Sequence, residues 1–145
     1  MVFTGNIFKS GSFWVVDVPS FEISTQGRSK KEAFEMIADA IQCHVDHPGF
    51  KIIITPVEKK MRFSKTETFT VASNNESELI SLFLKRQRQL NKLTVRQVAK
   101  KLGYASPSAY AQYETGKHIP GLEKISKFIA AMNPKAHFAF EIVMA

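Results

Sequence analysis

From Leu93 to Pro120 the chain reads LTVRQVAKKLGYASPSAYAQYETGKHIP, and its punctuation permits little except two short helices joined by a tight turn. Thr94 is a strong N-cap residue, Val95, Val98, Ala99 and Leu102 recur at helical spacing, and Gly103 supplies the left-handed residue that most easily closes such a helix. Ser106 can cap a second helix, and Pro107 suits its first turn, where the missing N–H would have gone unpaired anyway. Gly116 stops that helix after Tyr113, Glu114 and Thr115. Two helices of this length bury too little alone. Leu79, Leu82, Phe83 and Leu84 before them, and Leu122, Ile125, Phe128, Ile129 and Met132 after them, are therefore expected to complete a four-helix core.

The segment from about Leu79 to Met132 resembles the phage-repressor helix-turn-helix family, with Ala99, Gly103, Glu114, Gly116, Lys117, Pro120 and Leu122 at the positions of that motif. It departs from the pattern by one extra residue between Gly103 and Glu114, which shifts the start of the recognition helix by about one position. The resemblance implies operator double-stranded DNA as a partner. Tyr110 and Tyr113, three apart, should lean inward and leave Ser108, Ala109 and Gln112 turned toward the major groove. A glutamine can pair bidentately with an adenine edge, a serine can bond a base or a phosphate, and an alanine can touch a thymine methyl. Thr94, Arg96, Gln97, Ser106 and Lys117 are the candidate phosphate contacts, with Arg86 assisting. Lys100 and Lys101 face the wrong end for a certain contact and read as solvent charges. Arg88 and Glu114 match positions that often pair in this family and are expected to form a structural ion pair.

Charge supports a nucleic-acid partner. Residues 1–72 carry 9 Lys+Arg against 8 Asp+Glu, whereas residues 73–145 carry 11 against 5, so +6 of the net +7 lies in the helical half. With 44% hydrophobic residues over 145 positions, the chain can bury roughly two thirds of its unfolded surface without a covalent staple. The single cysteine, Cys43, allows no internal disulfide and is expected as a buried thiol in a reducing compartment. The opening MVFTGNIFK lacks the basic-then-apolar pattern of a signal peptide, and no apolar run of membrane-spanning length occurs, so a cytoplasmic protein without membrane association is expected.

The first half is built differently. A strand over Val2–Phe8, a turn through Lys9, Ser10 and Gly11, and strands over Phe13–Val18 and Phe21–Thr25, broken by Pro19 and Ser20, predict a three-stranded meander. Ser29 and Glu32 then form a capping box for a helix whose face of Ala33, Phe34, Ile37, Ala40 and Ile41 must lie on the sheet. Lys51–Val57 returns as a strand, and Phe69–Ala72 is a further candidate beyond a basic loop, Lys59–Lys65. The fold class is α+β: a β-β-β-α-β unit followed by an all-α helix-turn-helix domain with a C-terminal β-strand over His137–Met144.

VDVPSF, followed by Thr25-Gln26-Gly27, Ser29-Lys30-Lys31-Glu32-Ala33 and a helix ending Ala40-Ile41, is similar to the HicB antitoxin family. Ser20 replaces a frequent glycine, and Arg28 a frequent acidic residue. That resemblance implies a catalytically dead, partial RNase H-like domain over 1–72, a linker at 73–78 and a DNA-binding domain with a dimerising strand over 79–145. It also implies a small HicA-like, RNA-cleaving toxin as partner and repression of the shared operon. From the residues alone the reading is a DNA-binding domain attached to a partner or sensor domain, so a stand-alone regulator sensing a small molecule is the alternative.

An active RNase H-type centre needs several carboxylates converging on two metal ions. The meander offers only Asp17 and Glu22, while Glu32, Glu35 and Asp39 belong to the cap and solvent face of the helix, so no catalytic residue, metal site or cofactor is expected. His44 and His47 stand three apart without a third ligand at zinc spacing, and their place near a helix C-terminus suits the dipole. Helix-turn-helix proteins gain affinity by presenting two copies to half-sites about one turn apart, so a homodimer or higher oligomer is expected. The terminal strand would pair with its symmetry mate or, alternatively, with residues near Phe69.

Overall fold

The computed structural model describes residues 1–57 and 64–136. The terminal strand expected over His137–Met144 and most of the basic loop Lys59–Lys65 lie outside the described residues. Two compact units make up the chain, one from Met1 to Glu76 and one beginning at Ser77. The fold is α+β.

The first unit holds β1 (Phe3–Ser10), β2 (Phe13–Val18), β3 (Ile23–Gly27), α1 (Lys30–Gln42), β4 (Ile52–Val57) and β5 (Thr66–Ser73). They form one sheet in the order β3-β2-β1-β5-β4, antiparallel at every pairing. The optional strand near Phe69 is thus a full member beside β1, and it pushes β4 to the edge. Strand β1 runs two residues further than its apolar pattern suggests, because Ser10 pairs with Phe13 across a two-residue turn with Gly11 at φ 59°. Phe21 does not open β3. Pro19 starts a single 3-10 turn in which its carbonyl accepts from Glu22 N–H (3.0 Å), Glu22 is left-handed (φ 47°), and Phe21 drops into the core with its ring 4.8 Å from that of Phe3.

Ser29 caps α1 by accepting from Glu32 N–H (3.1 Å), and the Glu32 carboxylate accepts from Arg28 N–H (2.6 Å). Ala33, Ile37 and Ile41 are buried, with Phe34 half-buried and edge-on to Phe69 at 5.2 Å. On the sheet, Ile7, Val16, Val18, Phe69 and Val71 are buried as well. Gly27 is required here: a Cβ at this residue would lie 2.5 Å from Ala33 N, so a side chain would lift the first turn of α1 off β3. Cys43, expected to be buried, is exposed. It follows Ile41 by two residues, about 200° round the helix from the buried stripe.

Strand β5 ends at Ser73 and α2 (Glu76–Leu90) starts after Asn74 and Asn75. The expected linker 73–78 therefore contains the end of a strand and the first turn of a helix. In the second unit α2 is followed by α3 (Val95–Lys101), α4 (Ser108–Glu114) and α5 (Leu122–Met132). Leu79, Leu84, Val98, Ala99, Tyr110, Ile125 and Phe128 are buried almost completely. Leu122, expected in this core, is 52% exposed. It opens α5, and helical side chains lean toward the N-terminus, so its own leans past the end of the helix. No helix among the described residues is long and apolar enough to cross a membrane.

Candidate nucleic-acid interface

The helix pair is fixed at each end by local chemistry. Thr94 N–H donates to Gln97 Oε1 (2.8 Å) while Gln97 N–H donates to Thr94 Oγ1 (3.2 Å), a complete capping box at the start of α3. Gly103 is left-handed (φ 73°); its N–H donates to Lys100 O (3.0 Å) and Tyr104 N–H donates to Ala99 O (2.9 Å), the paired bonds of a Schellman exit. Ser106 Oγ then accepts from Ser108 N–H (3.2 Å) and lies 2.6 Å from the Ser108 hydroxyl. Helical bonding begins at Pro107, whose carbonyl accepts from Ala111 N–H (3.0 Å). Helix α4 leaves through Gly116 (φ 70°), where Lys117 N–H donates to Gln112 O (3.1 Å), and the Ser77 hydroxyl donates to Gly116 O (2.6 Å).

Tyr110 and Tyr113 form the inner face of α4. The Tyr110 ring meets Phe128 edge-on at 5.3 Å, and Tyr113 lies 5.0 Å from the same ring while its hydroxyl accepts from the Lys124 ammonium (2.8 Å). Among the described residues the Tyr110 hydroxyl has no hydrogen-bond partner. Its burial, and then the neighbouring Glu114 carboxylate, push its ionisation far above the ordinary tyrosine range. Ser108, exposed, and Gln112, half-buried, lie on the opposite face, while half-buried Ala109 stands on the flank, one turn before Tyr113. The Gln112 amide donates to Ala109 O (3.0 Å), so its side chain lies back along α4 and must turn outward to reach a base.

Arg88 ties three elements together. Its Nε and Nη2 donate to the two Glu114 carboxylate oxygens (2.7 and 2.8 Å) and Nη1 donates to Leu93 O (2.9 Å), joining α2, the turn after it and α4. Both side chains are largely buried, at 15% and 7% exposure. The hydrogen bond to Glu114 raises the guanidinium above its already high pKa, so Arg88 stays charged at any working pH.

Of the candidate phosphate contacts, Arg96 and Lys117 are exposed and make no ion pair among the described residues. Thr94 and Gln97 are exposed but committed to each other, and Ser106 is committed to Ser108. The reciprocal role of Gln97 went unread in the sequence, although Thr94 followed three residues later by glutamine is its ordinary signature. The stacking of the Lys124 ammonium over the Tyr113 ring, 5.3 Å from its centroid, has no local sequence signal, because it depends on how α5 crosses α4. Among the described residues no three His, Cys, Asp or Glu side chains gather to hold a metal.

Comparison with protein-family models matches residues 84–135 to a helix-turn-helix family. The matched span begins within α2 and includes α3, α4 and α5. No curated protein matches the chain. Residues 84–135 are thus similar to a helix-turn-helix domain of the DNA-binding kind used in transcription regulation.

Proposed function

We propose that this protein is the antitoxin and autorepressor of a type II toxin-antitoxin pair of the HicAB kind. Its second unit would bind operator DNA as a homodimer or higher oligomer, while its first unit occupies a small RNA-cleaving toxin. The DNA half of this reading rests chiefly on the outer face of α4, where Ser108 and Gln112 share one side while Tyr110 and Tyr113 anchor the other and Ala109 stands on the flank between them. Ser108 and Gln112 are four residues apart and therefore neighbours on the helix, a spacing that suits adjacent base edges. Arg96 and Lys117 would hold phosphates on either side of that face, with Thr94, Gln97 and Ser106 contributing polar groups near the helix starts. Arg88 and Glu114 act indirectly, by fixing the angle of α4.

The toxin half rests on the sequence resemblance of the first unit, and the sheet-and-helix layout built on Gly27 is compatible with it. The Gly27 contact accounts physically for one glycine of the motif that carries the resemblance.

Two experiments separate the halves. Coexpression with the product of the neighbouring reading frame should give a stable complex and rescue growth from that product; absence of both removes the antitoxin reading. Gel-shift assays with the upstream DNA should show specific binding that Gln112→Ala weakens selectively, by about 1–3 kcal/mol against the cognate site. An equal loss on cognate and unrelated duplexes would remove Gln112 from base reading. Specific DNA binding without any protein partner would favour the small-molecule sensor instead.

A further inference from the structure

A cleft on the second unit lies beside Arg96. Arg96, Lys100 and Tyr104 line it, over a floor made by Ala99, Gly103 and Pro107, and its volume is about 480 Å³. No carboxylate lines it. Arg96 and Lys100 lie four residues apart on α3, where like charges on one face repel. Both are exposed, and among the described residues neither makes an ion pair or side-chain hydrogen bond. An anion between the two cations would relieve their mutual repulsion.

The turn shapes the cleft. Gly103 reverses the chain in its left-handed conformation, the Schellman bonds of Gly103 and Tyr104 lock that reversal, and the backbone then passes to Pro107, the residue immediately before α4. The wall of the cleft and the start of the proposed reading helix are therefore consecutive in the chain. A duplex laid along Ser108 and Gln112 carries its sugar-phosphate backbone past Pro107.

The geometry points to this cleft as a phosphodiester-binding site that grips the DNA backbone beside the bases met by α4, with Lys100 and Tyr104 as positioning residues alongside Arg96. The inference rests on the DNA reading of α4 and extends it. The planar guanidinium of Arg96 suits two phosphate oxygens at once, the Lys100 ammonium adds a mobile point charge, and the Tyr104 hydroxyl can donate a neutral hydrogen bond. Such a contact sets register and orientation without reading sequence.

The full chain and a duplex it selects from a random-sequence pool test this, with phosphate-ethylation interference as the readout. Lys100→Ala should lower affinity several-fold and reduce the slope of log affinity against log salt by about 1 for each copy bound, with the preference for cognate over altered duplex unchanged. Ethylation at one phosphate should weaken the wild-type protein but not Lys100→Ala or Arg96→Ala, and Tyr104→Phe should weaken binding about two- to threefold at the same place. An unchanged slope and interference pattern for Lys100→Ala, with specific binding intact, would overturn the cleft assignment alone. Selection of no duplex at all would overturn both this inference and the DNA reading on which it rests. Saturable binding of inorganic phosphate that perturbs Tyr104 and Lys100, with DNA interference unaffected, would also overturn it by making the cleft a free-anion site.

Discussion

Tyr110 concentrates the tension between packing and polarity in this fold. Its ring fills the space between α4 and α5, but its hydroxyl is buried without a partner and faces the charge of Glu114, whose own oxygens are taken by Arg88. An unpaired buried hydroxyl costs about 1–3 kcal/mol. Tyr110→Phe should therefore stabilise the protein by about 1 kcal/mol or more at neutral pH, seen as a rise in the melting temperature of about 4–8 °C per kcal/mol. The sign of the pH effect follows from the raised pKa. The folded state holds the phenol proton to higher pH than the unfolded chain does, so the corresponding stability is complete below the ordinary tyrosine value of about 10 and is lost as pH rises above it. Thermal melts from pH 8 to 11 should show a steeper alkaline decline for the wild type than for Tyr110→Phe, and parallel curves would refute this account of the residue. The three-residue spacing of the tyrosines made their inward orientation legible. It carried no sign of the stranded hydroxyl, because that depends on how Arg88 claims both carboxylate oxygens from another helix. Residue type suggests burial for Cys43 and Leu122 as well, but Cys43 falls off the buried stripe of α1 and Leu122 stands at the open end of α5.

Whole elements were most readable where local chemistry marks their ends. Thr94, Gly103, Ser106 and Gly116 bound α3 and α4 through side-chain caps and left-handed exits, all of which act within a few residues. The exit of α2 uses the same Schellman bonding, with Leu93 N–H donating to Arg88 O (3.1 Å), but its left-handed residue is Lys92 (φ 55°), which nothing in the sequence signals. Strand β5 was legible only in part, since its threonine-rich beginning lacks apolar alternation and its place beside β1 is set by a long-range pairing, Phe3 with Val71 through Phe8 with Thr66. The docking of α1 on β3 likewise emerges only in three dimensions. Replacing Gly27 by alanine forces the new methyl against the backbone of Ala33, which cannot move without tilting the first turn of α1. Such overpacking costs about 1–3 kcal/mol, so Gly27→Ala should lower the unfolding free energy by that amount, read as a lower denaturant midpoint at unchanged slope. A change below about 0.5 kcal/mol would mean that α1 is free to shift away from the strand.

At the scale of the molecule, the separation of charge sets how DNA binding must respond to salt. The half beginning at residue 73 carries +6 and the half before it +1, and the cations proposed to meet phosphates are Arg96, Lys100 and Lys117. If each neutralises one phosphate, two copies on an operator make about six such contacts, and the slope of log affinity against log salt should be near −5. Raising salt from 50 to 200 mM would then weaken binding about 10³-fold, whereas one copy alone would lose only about 40-fold. The same titration therefore reports the number of phosphate contacts and, when paired with sedimentation of the complex, how many copies share them. Arg96→Ala should lower the two-copy slope by about 2, since each copy loses one contact, and Gln112→Ala should leave the slope unchanged while reducing the preference for cognate sequence. A slope shallower than −2 for a complex that sediments with two copies would show that the cationic half is largely solvated charge, and it would shift the source of affinity to the polar residues around Thr94 and Ser106.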